Sequence, residues 1–85
     1  MNDEVPGTYW QAADGLHIDT RGLPPPEPFV AIIWHIEQPG QTGPITVYLD
    51  RNPIFLFPEL IERGWRYEYA LRTAGEVRLI LRPET

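Results

Sequence analysis

The side chains available for chemistry in this sequence are carboxylates, arginines, tyrosines and two histidines, because its 85 residues include no Cys, no Ser and no Lys. Disulfides, thiolate metal sites, Ser or Cys nucleophiles and Lys Schiff bases are therefore excluded. The best-defined polar cluster is divided between two short segments, residues 19–22 and residues 50–52. Each segment supplies one acid and one guanidinium, and Arg21 and Arg51 could together clamp a carboxylate or a phosphate through paired N–H donors.

Both polar segments follow a predicted strand. Residues 16–19 and residues 45–50 alternate apolar and polar side chains, which is typical of a strand with one buried face. A helix is predicted after each of these strands. In the first helix, apolar side chains recur at i, i+3, i+4 and i+7 from Phe29, and the helix ends at Pro39-Gly40.

The second predicted helix follows a turn at residues 53–56 and ends at about Arg63, with Gly64 directly after it. Residues 65–72 and 77–82 then alternate again, which predicts a β-hairpin with one apolar face and one arginine-rich face. The order is β-α-β-α-β-β, and the predicted fold class is an α/β (α+β) two-layer sandwich with two helices on one face of a mixed four-stranded sheet. The predicted core comprises Leu16, Ile18, Phe29, Ile32, Ile33, Ile36, Ile45, Val47, Leu49, Leu56, Leu60, Trp65, Tyr67, Tyr69, Val77, Leu79 and Leu81.

Residues 1–14 are predicted to form an N-terminal arm and residues 15–85 a single domain. Two adjacent aromatic residues, Tyr9 and Trp10, indicate that the arm lies back on the domain or pairs at a sheet edge. The longest apolar run, residues 29–34, is far shorter than the roughly 20 residues of a membrane helix, and the arm lacks the basic start of a signal peptide. We therefore expect a cytoplasmic protein without a membrane contact.

The two polar segments form the first candidate site. If the first two strands are parallel neighbours, the loops that leave them meet at one edge of the sheet, beside two helix N-termini, where ligands commonly bind. A purely structural interpretation also stays open, in which Asp19 and Arg21 pair, Asn52 caps its helix and Asp50 forms a turn. The prolines of the first loop have no N–H groups, so this loop offers fewer donors to an anion than a true phosphate-binding loop does. The candidate binding residues are Asp19, Arg21, Gly22, Pro25, Pro26, Glu27, Asp50, Arg51 and Asn52.

The polar face of the sheet is the second candidate surface. Its arginines are predicted to share the face with Thr46, Glu68 and Ile80. Aromatic residues and Arg are enriched at protein interfaces, so the face is either solvated or a contact with an acidic protein or a second copy of the chain. The net charge of −5 and the absence of Lys argue against nucleic acid as a partner. The candidate interface residues are Tyr48, Arg66, Arg72, Arg78 and Arg82.

The sequence predicts no catalytic residue, no metal site and no cofactor. His17 points to the polar face of the sheet and His35 lies on a helix of the opposite layer, so the two imidazoles should not converge on one metal ion. Both histidines are expected at the surface or at its boundary. Acid–base catalysis would require Asp19 and Asp50 to lie close together, and no other pattern supports an enzyme.

Residues 18–28, Ile-Asp-Thr-Arg-Gly-Leu-Pro-Pro-Pro-Glu-Pro, resemble the signature of the TusA/SirA sulfur-carrier family. That signature is a strand ending in Asp-x-Arg-Gly-Leu, followed by x-Cys-Pro-x-Pro at the start of the first helix. The likeness covers about residues 16–82, and the family has the same β-α-β-α-β-β order. In the sulfur carriers the cysteine holds a persulfide that is transferred to partner proteins. Pro25 occupies the cysteine position here, so sulfur transfer is excluded.

The sequence is also similar to an uncharacterised bacterial branch of that superfamily, a cysteine-less domain of unknown function with Pro-Pro-Pro-Glu-Pro in place of the cysteine motif. Members share motifs like residues 49–53, 56–58 and 62–65, although many have His at the position of Arg51 and Asp at that of Asn52. Relatives often lie beside, or are fused to, hemerythrin-like and other redox-associated domains. The resemblance thus implies a non-catalytic interaction or accessory module that docks on a redox or metalloprotein partner. The alternative is a protein that binds a small anion at its paired helix N-termini.

Overall fold

The described part of the chain forms a sheet of five strands, one more than predicted. The computed structural model describes residues 5–84, so the first four residues of the predicted arm and the last residue of the predicted domain lie outside the described part. Within that part, no helix combines the length and the apolar character needed to cross a membrane. The elements in chain order are β1 (Thr8–Ala12), β2 (Gly15–Asp19), α1 (Glu27–Ile36), β3 (Ile45–Leu49), α2 (Leu56–Glu62), β4 (Trp65–Arg72) and β5 (Val77–Pro83).

The additional strand, β1, forms from the predicted arm. It pairs antiparallel with β2, from Thr8 opposite Asp19 to Ala12 opposite Gly15, which leaves a two-residue hairpin loop between them. The prediction that the arm pairs at a sheet edge is confirmed, whereas the count of four strands is wrong. All five residues of β1 are exposed, so its sequence lacks the alternation of buried and exposed positions that reveals a strand.

The strand order in the sheet is β1-β2-β3-β5-β4, and the two parallel strands lie side by side. β2 and β3 pair in parallel with Ile18 opposite Val47, and every other pairing is antiparallel. The mixed sheet is therefore confirmed. Since the carboxyl ends of parallel neighbours lie at the same edge, the loops after β2 and β3 leave the sheet next to each other.

The core lies between the two helices and one face of the sheet. Every predicted core residue except Tyr69 belongs to the buried cluster or packs against it. Tyr69 stays 36 % exposed, and its hydroxyl donates a hydrogen bond of 2.7 Å to Asn52 Oδ1. Phe57, which the helical pattern did not predict, packs against the cluster and stacks on Tyr67 with ring centroids 4.0 Å apart.

His35 lies inside the protein, which corrects the prediction of a boundary position. Its side chain belongs to α1 and the residue is 3 % exposed, and Tyr9 of β1 packs edge-on against its ring with centroids 4.5 Å apart. Its Nε2 has no hydrogen-bond partner in the described part of the chain. Burial lowers the pKa of this imidazole below its ordinary value of 6.5, because the charged form loses its hydration.

Acidification should therefore destabilise the fold through His35. Below pH 6.5 the unfolded chain protonates this histidine while the folded chain resists, so the unfolded state binds more protons. The free energy of unfolding is expected to fall as the pH decreases through that window, by at most about 1.4 kcal/mol per pH unit for one group. Urea denaturation at a series of pH values measures this slope.

The variant His35→Leu should lose the part of the slope that His35 causes. The pKa values of Asp14 and Asp19 are also lowered, by hydrogen bonds to His17 and Arg21 respectively, but these carboxyls change the stability mainly below their ordinary value of 3.8, so they contribute little to the slope between pH 6.5 and that value. An unchanged slope in His35→Leu would show that the buried imidazole does not cause the acid sensitivity.

Candidate functional site

The crevice predicted at the ends of the parallel strands exists as an apolar groove of about 760 Å³. One wall comes from residues 20–32 and the other from residues 49–59. Five lining residues carry polar or charged side chains, namely Thr20, Asp50, Arg51, Asn52 and Glu59. The apolar lining residues are Leu23, Pro25, Pro26, Pro28, Phe29, Ile32, Leu49, Pro53, Ile54, Phe55, Leu56 and Pro58.

Only part of the predicted binding set lines this apolar groove. Pro25, Pro26, Asp50, Arg51 and Asn52 do so, as predicted for the meeting of the two loops. The other predicted residues are not in its walls. These are Asp19, Arg21, Gly22 and Glu27.

Arg21 is held away from the apolar groove by its neighbours. Its Nε and Nη2 donate to the two carboxylate oxygens of Asp19, each at 2.9 Å, and Nη1 lies 3.6 Å from Glu76 Oε2. The guanidinium carbon lies 5.3 Å from the centroid of the Tyr48 ring, on the polar face of the sheet. These hydrogen bonds lower the pKa of Asp19 and raise that of Arg21. The predicted clamp of Arg21 and Arg51 therefore does not form.

The two loops are joined by hydrogen bonds at the base of the apolar groove. Thr20, 1 % exposed, donates to the Tyr48 carbonyl from both its backbone N–H (3.0 Å) and its hydroxyl (2.8 Å). The Gly22 N–H donates to Asp50 Oδ2 at 2.6 Å, and Gly22 adopts a φ of 84°, in the left-handed region that favours glycine. Asp50 thus fixes the opposite loop, which is a structural role but a different one from the turn that the structural interpretation predicted.

The helix N-termini beside the apolar groove offer few free donors. In α1, the Glu27 N–H donates to the Pro24 carbonyl and the Val30 N–H to the Pro26 carbonyl, while Pro28 has no N–H. The cap of α2 is Phe55 rather than Asn52, so the prediction that Asn52 caps this helix is wrong. The Oδ1 of Asn52 accepts the hydrogen bond from the Tyr69 hydroxyl instead.

The sequence pattern missed two strongly exposed apolar residues of the apolar groove. Phe55 is 83 % exposed and Ile54 is 59 % exposed. A signal was present, since residues 54–57 are four consecutive apolar residues at the start of a helix that buries only one side. Leu56 is buried and Phe57 packs against the core, which leaves the other two facing outwards.

The predicted polar face of the sheet is confirmed for most of its residues by the strand register. Thr46 lies opposite Ile80 and Tyr48 opposite Arg78, while Arg66 lies opposite Arg82. Arg72 is the exception. A β-bulge between Tyr69 and Leu71 shifts the alternation, so Arg72 lies opposite the buried Val77 and its guanidinium covers the Tyr69 ring at 4.7 Å.

Internal ion pairs neutralise much of the positive charge on the polar face. Arg78 Nη2 lies 3.2 Å from Glu76, and Arg82 Nη1 lies 3.4 Å from Glu68. The guanidinium carbon of Arg78 also lies 4.9 Å from the centroid of the Tyr48 ring. The buried Nε of Arg78 has no hydrogen-bond partner in the described part of the chain. An acidic partner would have to compete with these existing carboxylates.

His17 is buried on this face, contrary to the expectation of a solvent-facing side chain. Trp10 stacks on its ring with centroids 5.3 Å apart, and the residue is 9 % exposed. Its Nδ1 and the Tyr48 hydroxyl form a hydrogen bond of 2.9 Å, and its Nε2 and Asp14 Oδ1 one of 2.7 Å. This network ties the β1–β2 hairpin to β3. Among residues 5–84, no group of three or more His, Cys, Asp or Glu side chains is arranged to hold a metal ion.

The link between the two loops can be tested by replacing the hydroxyl of Thr20. The variant Thr20→Val has nearly the same shape and removes one hydrogen bond to the Tyr48 carbonyl, so it should lower the free energy of unfolding by about 1 kcal/mol. Thr42→Val is the matched control, because Thr42 is exposed. Chemical denaturation measures the free energy of unfolding of both variants. Equal stabilities of the two variants would show that the Thr20 hydroxyl does not join the loops.

A comparison with known proteins identifies the family. No curated protein and no solved structure matches the chain. One protein family, described as "Uncharacterized conserved protein (DUF2249)", matches residues 17–83, from β2 to the last residue of β5. This match spans both loops of the apolar groove and most of the chain. The protein is therefore a member of the DUF2249 family.

Proposed function

We propose that this protein is a non-catalytic binding module whose apolar groove takes an apolar segment of a partner protein flanked by basic residues. The observation that carries this proposal is the exposure of Phe55 and Ile54 beside a largely apolar groove of about 760 Å³. Contiguous exposed apolar surface is uncommon on a folded domain and generally marks a contact. Exposed aromatic residues at the rim of a pocket are typical anchors of protein interfaces.

The charge around the apolar groove favours basic flanks on the partner. Asp50 and Glu59 line it, and Glu27 lies in the first turn of α1. Residues 1–62 contain nine acidic residues and two Arg, one of which, Arg21, is paired with Asp19. A partner segment that carries Lys or Arg beside its apolar residues would be attracted to this surface and oriented on it.

The identity of the partner rests on the resemblance to the TusA/SirA superfamily. Relatives in its cysteine-less bacterial branch accompany hemerythrin-like and other redox-associated domains, which supports a redox or metalloprotein partner in the cytoplasm. In the sulfur carriers, the cysteine of the signature transfers its sulfur to the partner protein. Pro25 stands at that position and lines the apolar groove. This part of the fold would therefore still contact a partner protein, but it would transfer no sulfur.

The alternative function, binding of a small anion at the helix N-termini, has less support. The first turn of α1 has two of its N–H groups engaged and one replaced by proline. Arg51 supplies a cation to the groove, but Arg21 is paired elsewhere. Binding of phosphate or a carboxylate would raise the melting temperature, and the loss of that rise in Arg51→Ala would assign the anion to this groove.

The proposed function is tested by selection from a library of random displayed peptides. Peptides that bind should combine apolar residues with Lys or Arg, and titration of a selected peptide gives its affinity. The variant Phe55→Ala should weaken that affinity by about tenfold or more, as expected for an anchor residue, and should leave the stability almost unchanged because the side chain is exposed.

Ile61→Ala is the matched control for this experiment. Ile61 is 63 % exposed and lies on α2, but it does not line the apolar groove. Its truncation should leave peptide affinity at the wild-type value. A selection that enriches no such peptides, or equal losses of affinity in the two variants, would contradict the proposed function.

A further inference from the structure

The two edges of the sheet differ in their ability to accept another strand. β4 forms one edge of the sheet. It contains a β-bulge and three charged side chains, and both features discourage pairing with a further strand. The charged residues are Arg66, Glu68 and Arg72. β1 forms the other edge and has a regular register with β2 over its whole length.

β1 carries none of the features that protect an edge strand. Its sequence, Thr-Tyr-Trp-Gln-Ala, contains no charge and no proline, and all five residues are exposed. One row of its backbone N–H and C=O groups pairs with β2, and no strand formed by residues 5–84 lies along the other row. An uncharged, regular and exposed edge is a template for a further strand.

A second copy of β1 fits this edge without conflict. In an antiparallel arrangement centred on Trp10, Thr8 lies opposite Ala12 of the second copy, and Tyr9 lies opposite its Gln11. Each Trp10 then lies opposite its counterpart, and aromatic pairs across strands are favourable. No like charges face each other within the paired strands, and the arrangement has the two-fold symmetry that most homodimers adopt.

The exposed aromatic residues of β1 gain cover from such pairing. Tyr9 is 52 % exposed on the side of α1, where it contacts His35, and Trp10 is 44 % exposed on the polar face, where it stacks on His17. Both side chains flank the free edge, one on each face of the sheet. A neighbouring strand would therefore cover apolar surface on both faces as well as pair the backbone groups.

We propose that two copies of this protein associate through antiparallel pairing of their β1 strands, so that their sheets continue into one ten-stranded sheet. The proposal does not depend on the function proposed for the apolar groove, because no residue of β1 lines that groove. It also differs from a dimer through the polar face of the sheet, since the contact is the backbone edge.

The test is sedimentation of the complete chain over a range of concentrations, together with amide hydrogen exchange. We expect a concentration-dependent dimer in which exchange of the β1 amides slows as the dimer forms, while exchange of the β4 amides does not change. The variant Gln11→Lys introduces a charge into the edge and should weaken dimerisation by about tenfold or more. Ala70→Lys adds the same charge to the exposed β4 edge and should have no effect.

A mixing experiment tests the register and guards against a folding defect. Thr8 and Ala12 lie opposite each other in the proposed arrangement, so an equimolar mixture of the variants Thr8→Lys and Ala12→Glu should contain more heterodimer than the half of all dimers that random pairing gives. A protein that stays monomeric at millimolar concentration would overturn the proposal. So would a dimer that Gln11→Lys does not weaken, or one in which the β1 amides exchange as fast as in the monomer.

Discussion

Thr20 donates two hydrogen bonds to the carbonyl of Tyr48, and these bonds hold together the carboxyl ends of the two parallel strands. The loop after β2 and the loop after β3 therefore start side by side, and Asp50 adds a further link by accepting from the Gly22 N–H. The apolar groove exists because both loops then turn towards the helical layer. On the opposite side, the guanidinium groups of Arg21 and Arg78 lie over the ring of Tyr48, and the Tyr48 hydroxyl is hydrogen-bonded to His17. The same junction therefore organises the polar face of the sheet.

The prolines explain how the walls of the apolar groove can be apolar although they are built from loops. Loop backbone normally exposes N–H groups that need water or a partner. Six prolines line or adjoin the groove in residues 24–28 and at Pro53 and Pro58, and none of them has an N–H to satisfy. Two of the remaining donors in the first turn of α1, the N–H groups of Glu27 and Val30, bond to the Pro24 and Pro26 carbonyls. The scarcity of free donors supports the proposal of an apolar partner over that of a bound anion.

Most of the fold could be predicted because buried positions recur with a helix or strand period. The alternation from Leu16 and from Ile45, and the spacing from Phe29 to Ile36, reveal elements with one buried side. β1 has no buried residue and therefore left no such pattern, although the Asp-Gly pair after it is a frequent hairpin signal.

The candidate site was predictable as a place but not in its details. Because the carboxyl ends of neighbouring parallel strands lie at the same edge of a sheet, the sequence predicts that the two loops meet. The pair of Arg21 with Asp19 was anticipated by the structural interpretation, but the contacts of Arg21 with Tyr48 and Glu76 depend on distant parts of the chain. The bulge at β4 is equally hidden, because the sequence continues to alternate through Leu71 and Arg72 while the backbone does not.

The bulge in β4 has a consequence for how far this protein can assemble. A sheet with two open edges can add molecules at both ends and so grow without limit into a fibre. Among residues 5–84, the bulge and the charged side chains of β4 disfavour pairing at one end of the sheet, and β1 is the edge that stays open. Association along the sheet would use the open edge of both molecules at once, so it terminates at a pair and leaves no site for a third molecule.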